Sequence, residues 1–103
     1  MLDHTLTALA DPTRRAILAR LTEGEARVTE LAAPFAISLN SVSKHIRLLE
    51  RADLVRRRRA GREHILTLNP APLDEAADWI EGQRNLWAFR LGRLDDILKA
   101  TNP

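Results

Sequence analysis

The chain contains no cysteine among its 103 residues. That removes disulfides, thiolate metal sites and cysteine nucleophiles together. No apolar run approaches the roughly 18 residues of a membrane span. The opening stretch MLDHTLTALADPTRR lacks the basic, apolar and small-residue succession of a signal peptide. The expectation is a cytoplasmic protein with no membrane partner. There is no internal repeat and no low-complexity segment. A glycine-rich phosphate loop and a His/Glu zinc motif are both missing, and no nucleophile, base and orienting group can be assembled. Catalysis is therefore not expected, and no cofactor is implied. His4, His45 and His64 fall in separate segments, which gives no metal site from these ligand types.

What is present points elsewhere. Hydrophobic residues make up 45% of the chain, which argues against wholesale disorder, and its length suits one domain over 1–103. Net charge is only +2, but it is unevenly placed. Residues 38–69 carry Lys44 and seven arginines against Glu50, Asp53 and Glu63, a net of +5. The flanking segments 1–37 and 70–103 are net −1 and −2. A polyanion would be met mainly by the middle third.

That third contains Ile37 to Val55, ISLNSVSKHIRLLERADLV. Ser38 and Asn40 are residue types that open a helix. Val42, Ile46 and Leu49 recur on one helical face, while Asn40, Ser41, Lys44, Arg47 and Arg51 occupy the other. A helix with one buried side and one side of amides, hydroxyls and cations suits a DNA major groove. It also describes an ordinary solvated surface helix.

The neighbours favour DNA. Leu2, Leu6 and Leu9 space like one face of a short first helix. Asp11-Pro12 opens a second, with Asp as cap and Pro at the first turn, and Ile17, Leu18 and Leu21 form its apolar face. Arg14 and Arg15 near its start oppose the helix dipole, so a phosphate partner or plain solvation must account for them. Arg27-Val28 reads as a brief extended piece. Thr29 reads as the N-cap of a third helix that Pro34 cuts or kinks. Two helices joined by a short turn, over about 29–52, make a helix-turn-helix pattern. A hairpin follows at about 54–68, with Arg56, Arg57, Arg58 and Arg59 on one arm and Arg62 at the tip. Beside such a helix, arginines suit phosphate or a narrow minor groove. A charged edge strand guarded against aggregation is the plainer alternative. The last helix, about 72–99, carries Leu73, Ile80, Trp87, Leu91, Leu94 and Leu98 at spacings of three, four or seven. It is more apolar than a small domain needs. The expectation is dimerisation through the terminal helices, about 2–10 and 72–99, using those residues with Leu2 and Leu6. The alternative is a helix folded back on its own domain.

Taken in order, ALADPTRRAIL, VTELA, ISLNSVSKHIRLLERADLVRRRRAGREHILTLNP and a Trp-containing last helix resemble the ArsR/SmtB family of bacterial winged-helix repressors over nearly the whole chain. The resemblance is nearer to the cysteine-free branch that is not metal-sensing. It implies a mostly α fold with a small β-hairpin, ordered α1-α2-α3-α4-β-β-α5. The recognition helix would cover about Leu39–Arg51 and the wing about Leu54–Leu68. It implies a homodimeric repressor, often autoregulatory, on an inverted-repeat operator in double-stranded DNA. Base-reading residues would be Asn40, Ser41, Ser43 and Lys44, with Ser38 and Arg47 nearer phosphate; Asn suits an adenine edge and Lys a guanine edge. His45 would sit in the core or contact backbone. The metal-sensing cysteines and last-helix histidines of the family are absent. Asp53 stands where the family commonly has Gly, which puts the turn after the recognition helix under strain. Two other readings stay open. One is a winged-helix protein-interaction module docking through its acidic last helix. The other is a repressor gated by a small-molecule effector in a pocket between the first and last helices, near Trp79, Trp87 and Phe89.

Overall fold

In the computed structural model, which describes residues 2–101, the chain follows the order α1 (Leu2–Leu9), α2 (Pro12–Leu21), β1 (Ala26–Arg27), α3 (Val28–Ala32), α4 (Leu39–Arg51), β2 (Val55–Ala60), β3 (Glu63–Leu68) and α5 (Ala71–Thr101). Met1, Asn102 and Pro103, the ends of the expected domain, lie outside the described residues.

Local chemistry sets these boundaries. The Asp11 carboxylate accepts from the Arg14 N–H at 3.1 Å, and Pro12 opens α2. Thr29 does not cap α3. Arg27 holds the cap position in extended backbone, and its N–H donates to the Glu30 carboxylate at 3.2 Å. Arg27 is in β1 as well, so the helix begins where strand pairing ends. α3 stops at Ala32, with Ala33 as its cap and Pro34 just beyond. The sheet has three strands, ordered β1-β3-β2, all antiparallel. The sequence reading had the β2–β3 hairpin but not β1 as a paired strand. Ala60 pairs with Glu63, leaving Gly61-Arg62 as a two-residue loop. Gly61 takes φ 64°, where a side chain would be strained.

One apolar core joins Ile17, Leu18 and Leu21 of α2, Leu31 of α3, Val42, Ile46 and Leu49 of α4, and Leu54, Val55 and Leu66 of the wing. Each fully buried aliphatic side chain contributes roughly 1.5–3 kcal/mol of transfer free energy. In α1 the buried residues are Thr5 and Ala8, small enough to let the helix approach closely; Leu6 is 38% exposed.

The last helix does not fold back. Leu73 and Ala76 pack on the domain, but past Ala76 only Gln83 is even partly buried up to Ala100. At 1.5 Å per residue, its 31 residues span roughly 46 Å. It accounts for the 74 Å long axis of a molecule otherwise 26 × 22 Å across.

Candidate nucleic-acid interface

α4 is held from both ends. At its start the Ser38 hydroxyl accepts from the Ser41 N–H at 3.1 Å and donates to the Ser41 hydroxyl at 3.0 Å. Val42, Ile46 and Leu49 are completely buried. At its end the Asp53 N–H donates to the Glu50 carbonyl at 2.9 Å and the Leu54 N–H to the Leu49 carbonyl at 3.0 Å. This is a Schellman closure, which calls for a left-handed residue, and Asp53 supplies it at φ 57° in place of the usual glycine. The Asn69 amide steadies that strained turn, donating to the Asp53 carbonyl at 2.8 Å and its carboxylate at 3.1 Å.

With that seam buried, Asn40, Lys44, Arg47 and Arg51 lie exposed on the opposite side. Among the described residues none of the three cations makes an ion pair. Ser41 and Ser43 are half-buried on the flanks. Ser43 lines a crevice of about 360 Å³ between α3, α4 and the wing, together with Thr29, Leu39, Arg57, Arg62 and His64. The structure thus gathers Asn40, Lys44 and Arg47 on one surface and sets the two serines to its edges.

The four wing arginines do not act as one block. Side chains alternate along a strand. Arg57 pairs across with buried Leu66 and Arg59 with His64, so these face the α4 side. Arg56 and Arg58 lie on the other face opposite Thr67 and Ile65. Arg58 donates to the Glu25 carboxylate at 2.7 Å, and Arg56 sits 3.5 Å from that of Asp53. Arg57 donates to both Glu50 oxygens, at 2.7 and 3.4 Å, tying the wing base to α4. Arg59 donates to the Gly61 carbonyl at 3.1 Å, and Arg62 makes no ion pair among the described residues. A period-two reading of the run would have separated these roles; the Glu50 tie has no sequence signal beyond opposite charge.

Arg14 and Arg15, expected near phosphate, have partners within the chain itself. The Arg14 guanidinium donates to the Ala8 carbonyl at 2.8 Å and the Thr7 carbonyl at 3.0 Å, and Arg15 donates to the Leu9 carbonyl at 2.7 Å. Both close the C-terminus of α1, where carbonyls lack helical partners and positive charge is favourable. Arg14 also donates to His45 Nδ1 at 3.1 Å, which places His45 as a half-buried link from α4 to α2. The Arg14 backbone N–H, with His45 and the Arg14 charge nearby, holds the Asp11 carboxyl below its ordinary range against a smaller opposing effect of burial.

Within a single chain, the groove at the place expected for an effector is built by α5 alone. The groove at Trp79 and Trp87, about 280 Å³, is lined by Ile80, Gln83 and Arg84 besides them, all of α5. Phe89 lies outside it, 5.9 Å from the Arg93 guanidinium. Among the described residues no three His, Asp or Glu side chains converge as a metal site would require, and no helix is long and apolar enough to cross a membrane.

A buried-seam helix with a cationic outer face, preceded by a short helix and turn and followed by a two-arm wing, defines a winged helix-turn-helix DNA-binding domain. Comparison with known proteins carries this further. A helix-turn-helix domain model matches residues 9–58. The HTH-type transcriptional regulator Rv2034 of Mycobacterium tuberculosis is 44% identical over 71 residues, 69% of this chain and 66% of that protein. The transcriptional repressor SdpR of Bacillus subtilis is 32% identical over 79 residues, 77% of this chain and 88% of that one. The crystal structure of an ArsR family transcriptional regulator superposes with a TM-score of 0.81 at 41% identity, covering 84% of this chain and 96% of that one. The chain belongs to the ArsR/SmtB family of winged helix-turn-helix transcriptional regulators.

Proposed function

We propose that the protein is a homodimeric repressor that binds an inverted repeat in double-stranded DNA, acting in the cytoplasm by binding rather than catalysis. The observation that carries this is α4: its apolar seam is fully buried, and Asn40, Lys44 and Arg47 stand free on the outside. Asn40 and Lys44 read base edges, Ser41 and Ser43 contribute from the flanks, and Arg47 holds phosphate with Ser38 at the helix start. Arg59 and Arg62 extend the contact from the wing tip.

The dimer reading rests on α1 and α5. Leu6 of α1 is exposed, as are Ile80, Trp87, Leu91, Leu94 and Leu98 of α5. Ile80, Trp87 and Leu94 are spaced by seven, and so are Leu91 and Leu98, the repeat of a helix that packs along another helix. Leu73 is already engaged with its own core, and Leu2 is half-exposed. A two-fold dimer presents two copies of α4, as a palindromic operator requires. SdpR, a relative named as a repressor, supports the sense of regulation.

The test is binding at physiological salt to a duplex selected from a randomised pool, against unselected duplex, with mass measured by sedimentation. The reading expects a dimer and at least about a thousandfold preference for the selected duplex. Equal affinity for both duplexes overturns it. So does a monomer at the protein concentrations where binding occurs.

A further inference from the structure

Glu50 is out of place on a DNA-binding surface. It lies in the last turn of α4, within the most basic third of the chain, where a carboxylate repels phosphate. Arg57, its partner, would by charge alone be one of the best phosphate ligands of the wing. Yet the two hold each other through contacts of 2.7 and 3.4 Å, and each side chain is only 30% exposed. By its pairing with Leu66, Arg57 belongs to the inner side of the sheet, and its guanidinium spans from strand to helix. The packing of α4 on the sheet at this joint is apolar, with Leu49, Leu54, Val55 and Leu66 buried there, and the polar contacts of Asn69 and Arg56 hold the Asp53 turn rather than the strand. Apolar packing holds two elements together but tolerates sliding, whereas a forked guanidinium–carboxylate pair fixes direction.

We propose that Glu50 and Arg57 form a latch that sets the angle of the wing against the recognition helix. Glu50 is then a positioning residue for DNA binding, acting through Arg57 without touching DNA. Arg57 is withdrawn from phosphate, and the wing cations that reach DNA are Arg59 and Arg62, beyond the latch. The latch makes the wing and α4 one rigid reading head. Its effect falls on discrimination between sequences, because only a matched site needs both elements in register. This inference rests on the reading of α4 and the wing as the DNA-binding surface.

Charge and positioning predict opposite signs, which makes the latch testable. Removing an acid from a cationic surface should, by charge alone, strengthen binding to every duplex. Loosening a latch should weaken binding to the matched duplex and leave random duplex unchanged. The experiment measures E50Q, R57Q, the double variant and the swapped pair E50R/R57E by fluorescence anisotropy. The probes are the duplex that the wild-type protein selects from a randomised pool and a random duplex of equal length. A salt series and a thermal melt accompany each variant.

The latch expects E50Q and R57Q each to lose about threefold to tenfold on the selected duplex, with melting temperature and random-duplex affinity held. The double variant should lose no more than either single one, and the swapped pair should recover most of the loss. Stronger binding of E50Q to both duplexes, with a steeper salt slope, overturns the latch, because it shows Arg57 freed onto phosphate. Unchanged discrimination in E50Q overturns it as well, as does an equal loss on both duplexes with a lowered melting temperature. If the wild-type protein itself does not discriminate, the DNA reading fails instead, so the two failures are distinguishable.

Discussion

The alternation along β2 makes a quantitative statement about salt. Arg59→Ala with Arg62→Ala removes the two wing cations on the DNA side of the latch. Arg56→Ala with Arg58→Ala removes the same charge from the opposite face, where Glu25 and Asp53 already hold the guanidinium groups. Each lost phosphate contact flattens the slope of log K against log salt by about 0.9. In the proposed dimer every substitution counts twice, so the tip pair removes up to four contacts and about 3.6 units of slope. Across a fourfold rise in salt, the wild-type protein should then lose about 150-fold more affinity than the tip variant. The outer pair should flatten the slope by less than about one unit, a residue of long-range charge. Fluorescence anisotropy at several salt concentrations on one selected duplex measures both. Equal flattening by the two pairs, or a larger effect of Arg56 and Arg58, would refute the assignment of faces.

Three further outcomes follow. Trp87→Glu with Leu94→Glu should give a monomer by sedimentation and abolish tight binding to an inverted repeat, while the melting temperature of the single domain holds; both residues are already exposed in one chain, Trp87 at 67%. Ile46→Ala should cost roughly 2–5 kcal/mol by denaturant titration, because the side chain is fully buried in the seam that joins α4 to the core. Asp11 has a carboxyl pKa lowered in the folded state, so it contributes stability above the unfolded value that is lost as pH falls through the folded one. Asp11→Asn, which keeps a capping oxygen without the charge, should lose less stability than the wild-type protein over that acid window in a pH series of thermal melts.

Much of this was legible before the structure, and the reasons differ by element. The α4 boundaries could be read because Ser38, the Val42–Ile46–Leu49 seam and the Asp53 turn each leave a residue-type signature. The hairpin could be read from its turn and its β-favouring return arm. β1 could be read only as a brief extended piece at Arg27-Val28, one residue late, since two residues carry no periodicity and are a strand only by pairing with Ile65 and Leu66. The cap of α3 was misplaced by two residues because Thr29 is a better capping type than Arg27, but pairing of Arg27 with β3 ends the extended backbone earlier. Arg14 and Arg15 were read against their own helix, while their partners are the last carbonyls of the preceding one. In each of these cases the deciding contact lies outside the local window. The same holds for the site: residue types marked α4 and the hairpin, but only register divided the arginines and only geometry joined Glu50 to Arg57.

The central claim is that α4 lies in a major groove. Dimethyl sulfate probing of the selected duplex tests this directly, since guanine N7 faces the major groove and adenine N3 the minor groove. The expected result is protection of guanine N7 in two clusters, one helical turn apart between their centres, with the Asn40→Ala and Lys44→Ala variants losing protection at individual positions in each cluster. Protection confined to adenine N3, or a pattern unchanged when both residues are replaced, would contradict it.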